Sequence, residues 1–336
     1  MHDVLTLNQY IKSEAASNRD ARHLIGLVED VANSCVEINK LVSYGGLIGN
    51  LGTTRGTNIQ DEQQKELDIR ANDIIIRHVE AGHHLIALGS EELDEPFIIQ
   101  SDEPQGNFLL MFDPLDGSSN IEINGPVGTI FSILQAPEGA TGAEEDFLQP
   151  GNEQICAGYV LYGPSTEMVI TFGNGVNGFT LDLDDGVFKL TSEDMRVPID
   201  TAEFAINASN QRHWEPPVKR YIAECLEGKE GPRSKDFNMR WIAAMVADVH
   251  RVMSRSGVFL YPIDEKTRDK GGRLRLMYEA NPMAMIMEQA GGMGSTGRGR
   301  ILDVKPEHLH QRVPVIIGAR GEVEHLIQYH EEFDNQ

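Results

Sequence analysis

Phe112 to Asn120 (FDPLDGSSN) places two carboxylates, a proline and a run of small residues with backbone donors within nine positions. Asp113 and Asp116 stand three apart with Pro114 between them. Proline has no amide to donate and interrupts a central strand, so the sequence predicts that the chain turns here and brings both carboxylates to one side. Converging hard oxygen ligands suit a magnesium-type cation rather than zinc. Gly117 lets the backbone approach a ligand closely, and the amides and hydroxyls of Ser118 and Ser119 can donate to phosphate oxygens. The chemistry written in this nonamer is a phosphate held beside a metal. An Asx-type turn between strands would use the same residue types.

Two further segments carry chemistry. In Leu85 to Leu93 (LIALGSEEL) an apolar run ends in Ser90, Glu91 and Glu92, as if a buried strand delivered two acids to its carboxyl end, where open α/β sheets bind ligands. Consecutive residues of an extended strand point to opposite faces, which predicts different tasks for Glu91 and Glu92, one on metal and one on a water. A solvated acidic strand end is the plainer alternative for this segment by itself. In Arg273 to Ala284 (RLRLMYEANPMA), basic and apolar residues alternate before Glu279 and an Asn281-Pro282 helix start. Arg273 and Arg275 share a face if extended, which makes a two-pronged anion clamp beside another acid.

The elements that must position these residues follow from periodicity. Leu24, Val28, Val31, Cys35 and Ile38 recur at helical spacing, so Ala21 to Leu41 is expected as an amphipathic helix, and a second helix over Asp61 to His78 carries Asp68. Strands are expected at Leu85 to Leu88, Phe108 to Phe112, Thr129 to Leu134, Cys156 to Leu161, Met168 to Phe172 and Phe179 to Leu183. The pattern changes at Arg196 to Thr201, dividing the chain into an N-terminal domain (1–198) with the acids and a C-terminal domain (199–336). Beyond the boundary, strands at Phe204 to Asn207, Val258 to Tyr261 and Val313 to Ile317 alternate with helices at Val218 to Glu227, Met239 to Met253, Pro282 to Ala290 and Val323 to Glu332. The alternation predicts an α/β (α+β) layered sandwich.

Composition bounds the function. The 336 residues are 40% hydrophobic and 24% charged, without a run long enough to span a membrane or a basic-then-apolar leader. Cys35, Cys156 and Cys225 are isolated and odd in number, which points to a reducing cytoplasm. A net charge of -23 argues against nucleic acid as a partner and requires local cations wherever an anionic substrate binds. Arg240, Arg273 and Arg275, together with a metal on the acid cluster, can supply that reversal.

Taken with LQPG (148–151), AGYVLYGPST (157–166), MVADVHR (245–251) and GVFLYP (257–262), these motifs make the sequence resemble class 1 fructose-1,6-bisphosphatases over nearly its whole length. The resemblance implies a two-domain, layered sugar-phosphatase fold and Mg²⁺-dependent hydrolysis of D-fructose 1,6-bisphosphate to D-fructose 6-phosphate. By resemblance, Glu91, Asp113, Asp116, Glu279 and the carbonyl of Leu115 hold two or three Mg²⁺ ions, for which Mn²⁺ can substitute. Glu92 and Asp68 match the acidic pair that orients and deprotonates the attacking water. Asp116, Gly117, Ser118 and Ser119 correspond to contacts with the 1-phosphate end of the substrate. Asn207, Arg240, Tyr261, Arg273 and Arg275 correspond to contacts with the sugar and 6-phosphate. Because the family's counterpart of Arg240 reaches across a subunit interface, a homo-oligomer, a homotetramer by family norm, is implied. The partner is a small sugar bisphosphate, with no nucleic acid and no membrane; the pathway, gluconeogenesis or carbon fixation, stays open.

Departures from the family pattern matter too. Arginine stands at 273 where lysine is common, which replaces a point charge by a planar fork. Asn210 and Trp241 replace tyrosines near the 6-phosphate, and Glu62 stands where an aspartate is common. Arg19 to Ile25 and the Asn107-Phe108 pair differ from the family's nucleotide pocket, which predicts weak or absent AMP inhibition. A preference for sedoheptulose 1,7-bisphosphate and a non-catalytic sugar-phosphate sensor are the alternatives. The Gly292-Gly294-Gly297 pattern follows a helix rather than a strand and is not read as a dinucleotide site. Asp182 to Gly186 reads as a hairpin turn, and His83, His84, His308 and His310 as surface or capping residues.

Overall fold

The computed structural model describes residues 4–48, 54–57, 63–100 and 106–335. The first part of the chain forms α1 (Leu7–Glu14), α2 (Ala21–Tyr44), β1 (Thr54–Thr57), β2 (Gln63–Lys65), α3 (Glu66–Gly82), β3 (Ala87–Ser90), β4 (Phe97–Ile98), β5 (Phe108–Asp116), β6 (Val127–Gln135), α4 (Glu144–Phe147), β7 (Gln154–Tyr162), β8 (Thr166–Thr171), β9 (Asn177–Asp182) and β10 (Val187–Ser192). The second part forms β11 (Glu203–Ile206), α5 (Pro216–Leu226), β12 (Asn238–Met239), α6 (Met245–Arg255), β13 (Val258–Tyr261), β14 (Leu274–Arg275), α7 (Asn281–Gln289), β15 (Met293–Ser295), β16 (Arg312–Val313), β17 (Val315–Gly318) and α8 (Arg320–Asp334).

Two sheets carry the fold. An eight-stranded sheet runs in the order β10-β9-β8-β7-β6-β5-β3-β4, and a five-stranded one in the order β12-β11-β13-β17-β15. Alternation in β5 explains how its fully buried FLLMFDPLD run serves two cores. Phe108, Leu110 and Phe112 pack with Leu24, Val28 and Val31 of α2 and Ile75 of α3, whereas Leu109 and Met111 join Val246 of α6 and Met283 and Ile286 of α7. The second sheet closes that inner core with Phe259 and Ile317, and its outer face, Phe204, Val258 and Ile316, lies against α5 and α8 through Val218, Tyr221 and Leu326. Helices and sheets therefore alternate in five layers, the layered α/β sandwich that the sequence predicts.

Several expected boundaries move. Helix α3 begins at Glu66, because Gln63–Lys65, inside the expected helix, pair antiparallel with β1 and commit their backbone groups to a ladder; Asp61, its expected start, lies outside the described residues. The helix runs past His78 to Gly82, where His83 takes the left-handed conformation at φ 53° and ends it. The expected helix from Met239 starts only at Met245, since 238–239 join the second sheet. Helix α1 is unanticipated; Thr6 Oγ1 accepts from Gln9 N–H at 3.3 Å and Gln9 Oε1 accepts from Thr6 N–H at 2.9 Å, a capping box. Asp182 to Gly186 forms the β9–β10 hairpin turn, as read. Glu62 lies outside the described residues.

Candidate active site

Strand β5 continues through Pro114 to Asp116, where the sequence predicts a turn. Its register against β6 slips between Asp113 and Asp116, so the proline sits in a bulge that asks for no ladder donor. On the other side, β3 pairs with β5 only as far as Phe112. Thr129 Oγ1 donates to the Pro114 carbonyl at 2.8 Å, and Asp113 Oδ1 accepts from Leu115 N–H at 2.9 Å. The Asx-type turn and the converging carboxylates are thus one structure rather than alternatives. Gly117 follows at φ 80°, and a Cβ there would stand 2.3 Å from Ala244 Cβ, so this position requires glycine.

Parallel pairing of β3 with β5 brings the end of β3 beside Asp113. The strand stops at Ser90; Glu91 and Glu92 lie in a turn, so the strand-alternation argument does not govern them, and both line the same cavity. Ser90 Oγ fastens this turn to α3, donating to Asn72 Oδ1 at 2.7 Å and accepting from Glu92 N–H at 3.2 Å. The first turn of α3 presents Asp68, buried, to that cavity. Glu279 arrives from a π-helical turn, Leu276–Ala280, that runs into α7 instead of from a simple helix start. Such a turn widens the helix and aims a side chain that an α-helix would place elsewhere.

The result is a cavity of about 340 Å³ lined by Asp68, Glu91, Glu92, Asp113, Leu115, Asp116, Gly117, Ser118, Ser119, Asn207, Tyr261, Arg273, Arg275 and Glu279. Among the residues expected at the site, Arg240 alone is not part of it. Arg240 is exposed, its guanidinium donates to the Met239 carbonyl at 3.0 Å, and it borders a shallow depression beside Glu203 and Arg251. The expected open clamp of two arginines also changes: Arg275 is buried and ion-paired to Glu91 and, at 3.6 Å, to Glu279, while Arg273 lines the cavity but is exposed.

Electrostatics make the acid cluster a candidate cation site. Ligand oxygens of Asp113, Asp116 and Glu279 lie within 4.8 Å of one another, all buried. Burial, reinforced by Glu91 and the neighbouring carboxylates, pushes Asp113 well up. Burial lifts Asp116 to about 7, against the pull of the Val246 amide, and Glu279 to about 8, against the pull of Arg275. Carboxylates so costly to ionise together call for a counter-charge, and an all-oxygen donor set fits a hard divalent ion.

Sequence reasoning missed the strap that holds this geometry. Residues 240–244 are not helical; Ala243 has φ 68°, a conformation costly for a residue with a Cβ. Buried Asp248 pins the strap by accepting from Ile242 N–H at 3.0 Å and Ala243 N–H at 3.1 Å, and Asn120 Nδ2 donates to the Ile242 carbonyl at 3.1 Å. Val246 N–H then donates to Asp116 Oδ2 at 2.7 Å. An acid in the first turn of α6 was the available signal. Trp241 stacks on Phe259 with centroids 5.9 Å apart and leans on Tyr261, so all three aromatics border the cavity. His308 is exposed and His83 ends α3, as read, whereas His84 is partly buried and meets His23 Nδ1 to Nδ1 at 3.1 Å, and half-buried His310 meets the Tyr278 hydroxyl at 2.9 Å.

Comparison with known proteins agrees with this geometry. Residues 5–193 match the family described as fructose-1-6-bisphosphatase, N-terminal domain, and residues 197–331 match its C-terminal domain. The structure is similar to that of Leishmania major fructose-1,6-bisphosphatase in holo form, with 36% sequence identity, 98% of this chain and 99% of that chain covered, and a TM-score of 0.91. With both domains matched and the acid-lined cavity in place, the chain belongs to the fructose-1,6-bisphosphatase family and is an enzyme of that type.

Proposed function

We propose that this enzyme hydrolyses D-fructose 1,6-bisphosphate at its 1-phosphate, with Mg²⁺, to D-fructose 6-phosphate and inorganic phosphate. The observation that carries this reading is a single cavity that joins an oxygen-only acid cluster and the Gly117–Ser119 donors to Asn207, Tyr261 and Arg273. Glu91, Asp113, Asp116, Glu279 and the Leu115 carbonyl would hold the cations, Mn²⁺ being an equally hard substitute. Bound there, the metal polarises the phosphoryl oxygens, stabilises the leaving sugar oxygen and makes a water more acidic.

The chain's own groups do the rest. Gly117, Ser118 and Ser119 orient the 1-phosphate, and Asn207, Tyr261 and Arg273 hold the sugar and its 6-phosphate so that the scissile bond lies in line with the water. Glu92 and Asp68 take the water's proton as its oxygen bonds to phosphorus. The bond from phosphorus to the C1 oxygen breaks, and that oxygen takes a proton from solvent. Arg275, paired with Glu91 and Glu279, would become available to a phosphate oxygen with cations held by those acids. A sensor that only bound its ligand would need neither Glu92 nor Asp68.

Arg240, exposed and outside its own cavity, suits a role in a neighbouring subunit's site, so the working form is proposed to be a homotetramer with domains 1–198 and 199–336. A cytoplasmic location accords with three buried free cysteines, and among the described residues no helix is long and apolar enough to cross a membrane. A second reading, sedoheptulose 1,7-bisphosphate as an equal or preferred substrate, gains support from the exchange of two tyrosines for Asn210 and Trp241. Initial rates of phosphate release from the two bisphosphates, with Mg²⁺ and with chelator, test both readings. Metal-dependent release from fructose 1,6-bisphosphate is expected; release from neither sugar overturns the proposal.

A further inference from the structure

Two segments far apart in the chain deliver acids to the cluster: the turn after β3 carries Glu91 and Glu92, and the π-helical turn Leu276–Ala280 carries Glu279. A third segment, residues 307–313, lies outside the lining of that cavity yet is fastened to both. On one flank, Leu276 N–H at the start of the π-helical turn donates to the Gln311 carbonyl at 2.7 Å, and Leu274 and Arg275 pair antiparallel with Val313 and Arg312. On the other, Leu309 packs on β3, where a Cβ at Gly89 would stand 3.2 Å from Leu309 Cδ1. Leu309 N–H also donates to Glu144 Oε1 of α4 at 2.6 Å. The segment closes on itself, with Gln311 N–H donating to the His308 carbonyl at 3.2 Å and Glu307 N–H to Gln311 Oε1 at 2.6 Å.

His310 stands in the middle of this segment. Its Nδ1 meets the Tyr278 hydroxyl at 2.9 Å, with the rings edge to face and their centroids 5.8 Å apart, and Tyr278 directly precedes Glu279. Burial holds the His310 ring below its ordinary value, while the backbone of Leu93 and Asp94 pulls it back up, as acceptors facing a ring N–H do. Leu93 and Asp94 directly follow Glu91 and Glu92, and Leu93 N–H closes that turn on the Ser90 carbonyl at 3.3 Å. A neutral imidazole offers one acceptor and one donor at a fixed angle, which makes it a rigid spacer between two segments. We infer that His310 is a positioning residue for the cation site: accepting from Tyr278 at Nδ1 and offering its other N–H to the backbone after Glu92, it sets the spacing between Glu91 and Glu279. This inference rests on the metal reading above and adds no ligand to it. Groups behind the ligands of a metal site fix where the ligand oxygens point, and affinity for the ion depends on them.

Affinity for Mg²⁺ tests this without turnover. Equilibrium dialysis of chelator-stripped protein against Mg²⁺ would compare the wild type, Tyr278→Phe, His310→Ala and the double variant. Each single variant is expected to bind Mg²⁺ about tenfold more weakly, the usual cost of losing a partner behind a metal ligand. Because the two residues act as one bridge, the double variant should be no weaker than the weaker single one. At saturating Mg²⁺, KM for fructose 1,6-bisphosphate should keep its wild-type value. Tyr159→Phe is the control for a merely structural loss: Tyr159 and His250 form a second Tyr–His pair, 3.1 Å apart with centroids at 5.9 Å, outside the cavity lining. That variant should lose stability and keep its Mg²⁺ affinity. Circular dichroism checks folding, and if His310→Ala does not fold, Tyr278→Phe, which removes one oxygen, decides against the same control. Variants with wild-type Mg²⁺ affinity, single losses that multiply in the double variant, or an equal loss in Tyr159→Phe overturn the inference. A wild type that binds no Mg²⁺ overturns it together with the metal reading. A wild type that binds Mg²⁺ but hydrolyses neither bisphosphate removes the phosphatase reading alone, and the affinities still decide the role of His310.

Discussion

Removing the metal should make the protein's stability depend on pH with a sign that the acid cluster dictates. Burial raises Asp116 from 3.8 to about 7 and Glu279 from 4.5 to about 8. The metal-free native state therefore keeps protons that the unfolded chain has already released above pH 5, so stability falls as pH rises through the folded values. Between pH 6 and pH 8, linkage gives a loss of roughly 1 kcal/mol from Asp116 and roughly 2 kcal/mol from Glu279. For a chain of this size that is on the order of a 5 °C fall in Tm. The assay is a thermal melt at both pH values, in chelator and in saturating Mg²⁺. Chelated protein should melt several degrees lower at pH 8 than at pH 6, Mg²⁺ should restore more at pH 8, and Glu279→Gln should remove about two-thirds of the slope. A chelated wild type with the same Tm at both pH values, or a slope that Glu279→Gln leaves intact, would refute the argument that burial holds these carboxyls protonated.

Other outcomes follow from single residues. Glu92→Gln should lower kcat by about 10²- to 10⁴-fold, the usual weight of a lost general base, with KM nearly unchanged; a loss confined to KM would contradict its assignment to the water. Gly117→Ala combines a left-handed backbone with a Cβ 2.3 Å from Ala244, and should cost about 2–5 kcal/mol in denaturant unfolding. Wild-type stability would show that the strap yields freely. AMP at millimolar concentration should leave the rate unchanged, because the Asp20 carboxylate already accepts from Asn107 N–H at 3.1 Å at the start of α2. A fall in rate at micromolar AMP would show a working nucleotide pocket.

Much of the site was legible because its chemistry is local in sequence. FDPLDGSSN brings the carboxylates and backbone donors of the candidate site together at one strand end, and the glycine in it is demanded by backbone and by Ala244 alike. What sequence could not give was long-range. Pro114 stays in a strand because β6 slips register opposite it, a fact about a partner strand whose Thr129 bonds the Pro114 carbonyl from 15 residues away. Arg275 became a counter-charge rather than an open clamp because folding sets it between Glu91 and Glu279, far apart in the chain. Asp248 falls inside an expected helix, and only the folded strap gives it the amides of Ile242 and Ala243 to hold. The sandwich itself was readable from alternating apolar runs, whereas the start of α3 was not, since β2 competes for the same residues.

The central claim, that metal-activated water attacks the 1-phosphate, is tested most directly by turnover of fructose 1,6-bisphosphate in heavy-oxygen water. The account predicts Mg²⁺-dependent release of phosphate carrying the heavy oxygen and fructose 6-phosphate without it. Heavy oxygen in the sugar, or no release of phosphate when Mg²⁺ is present, would contradict it.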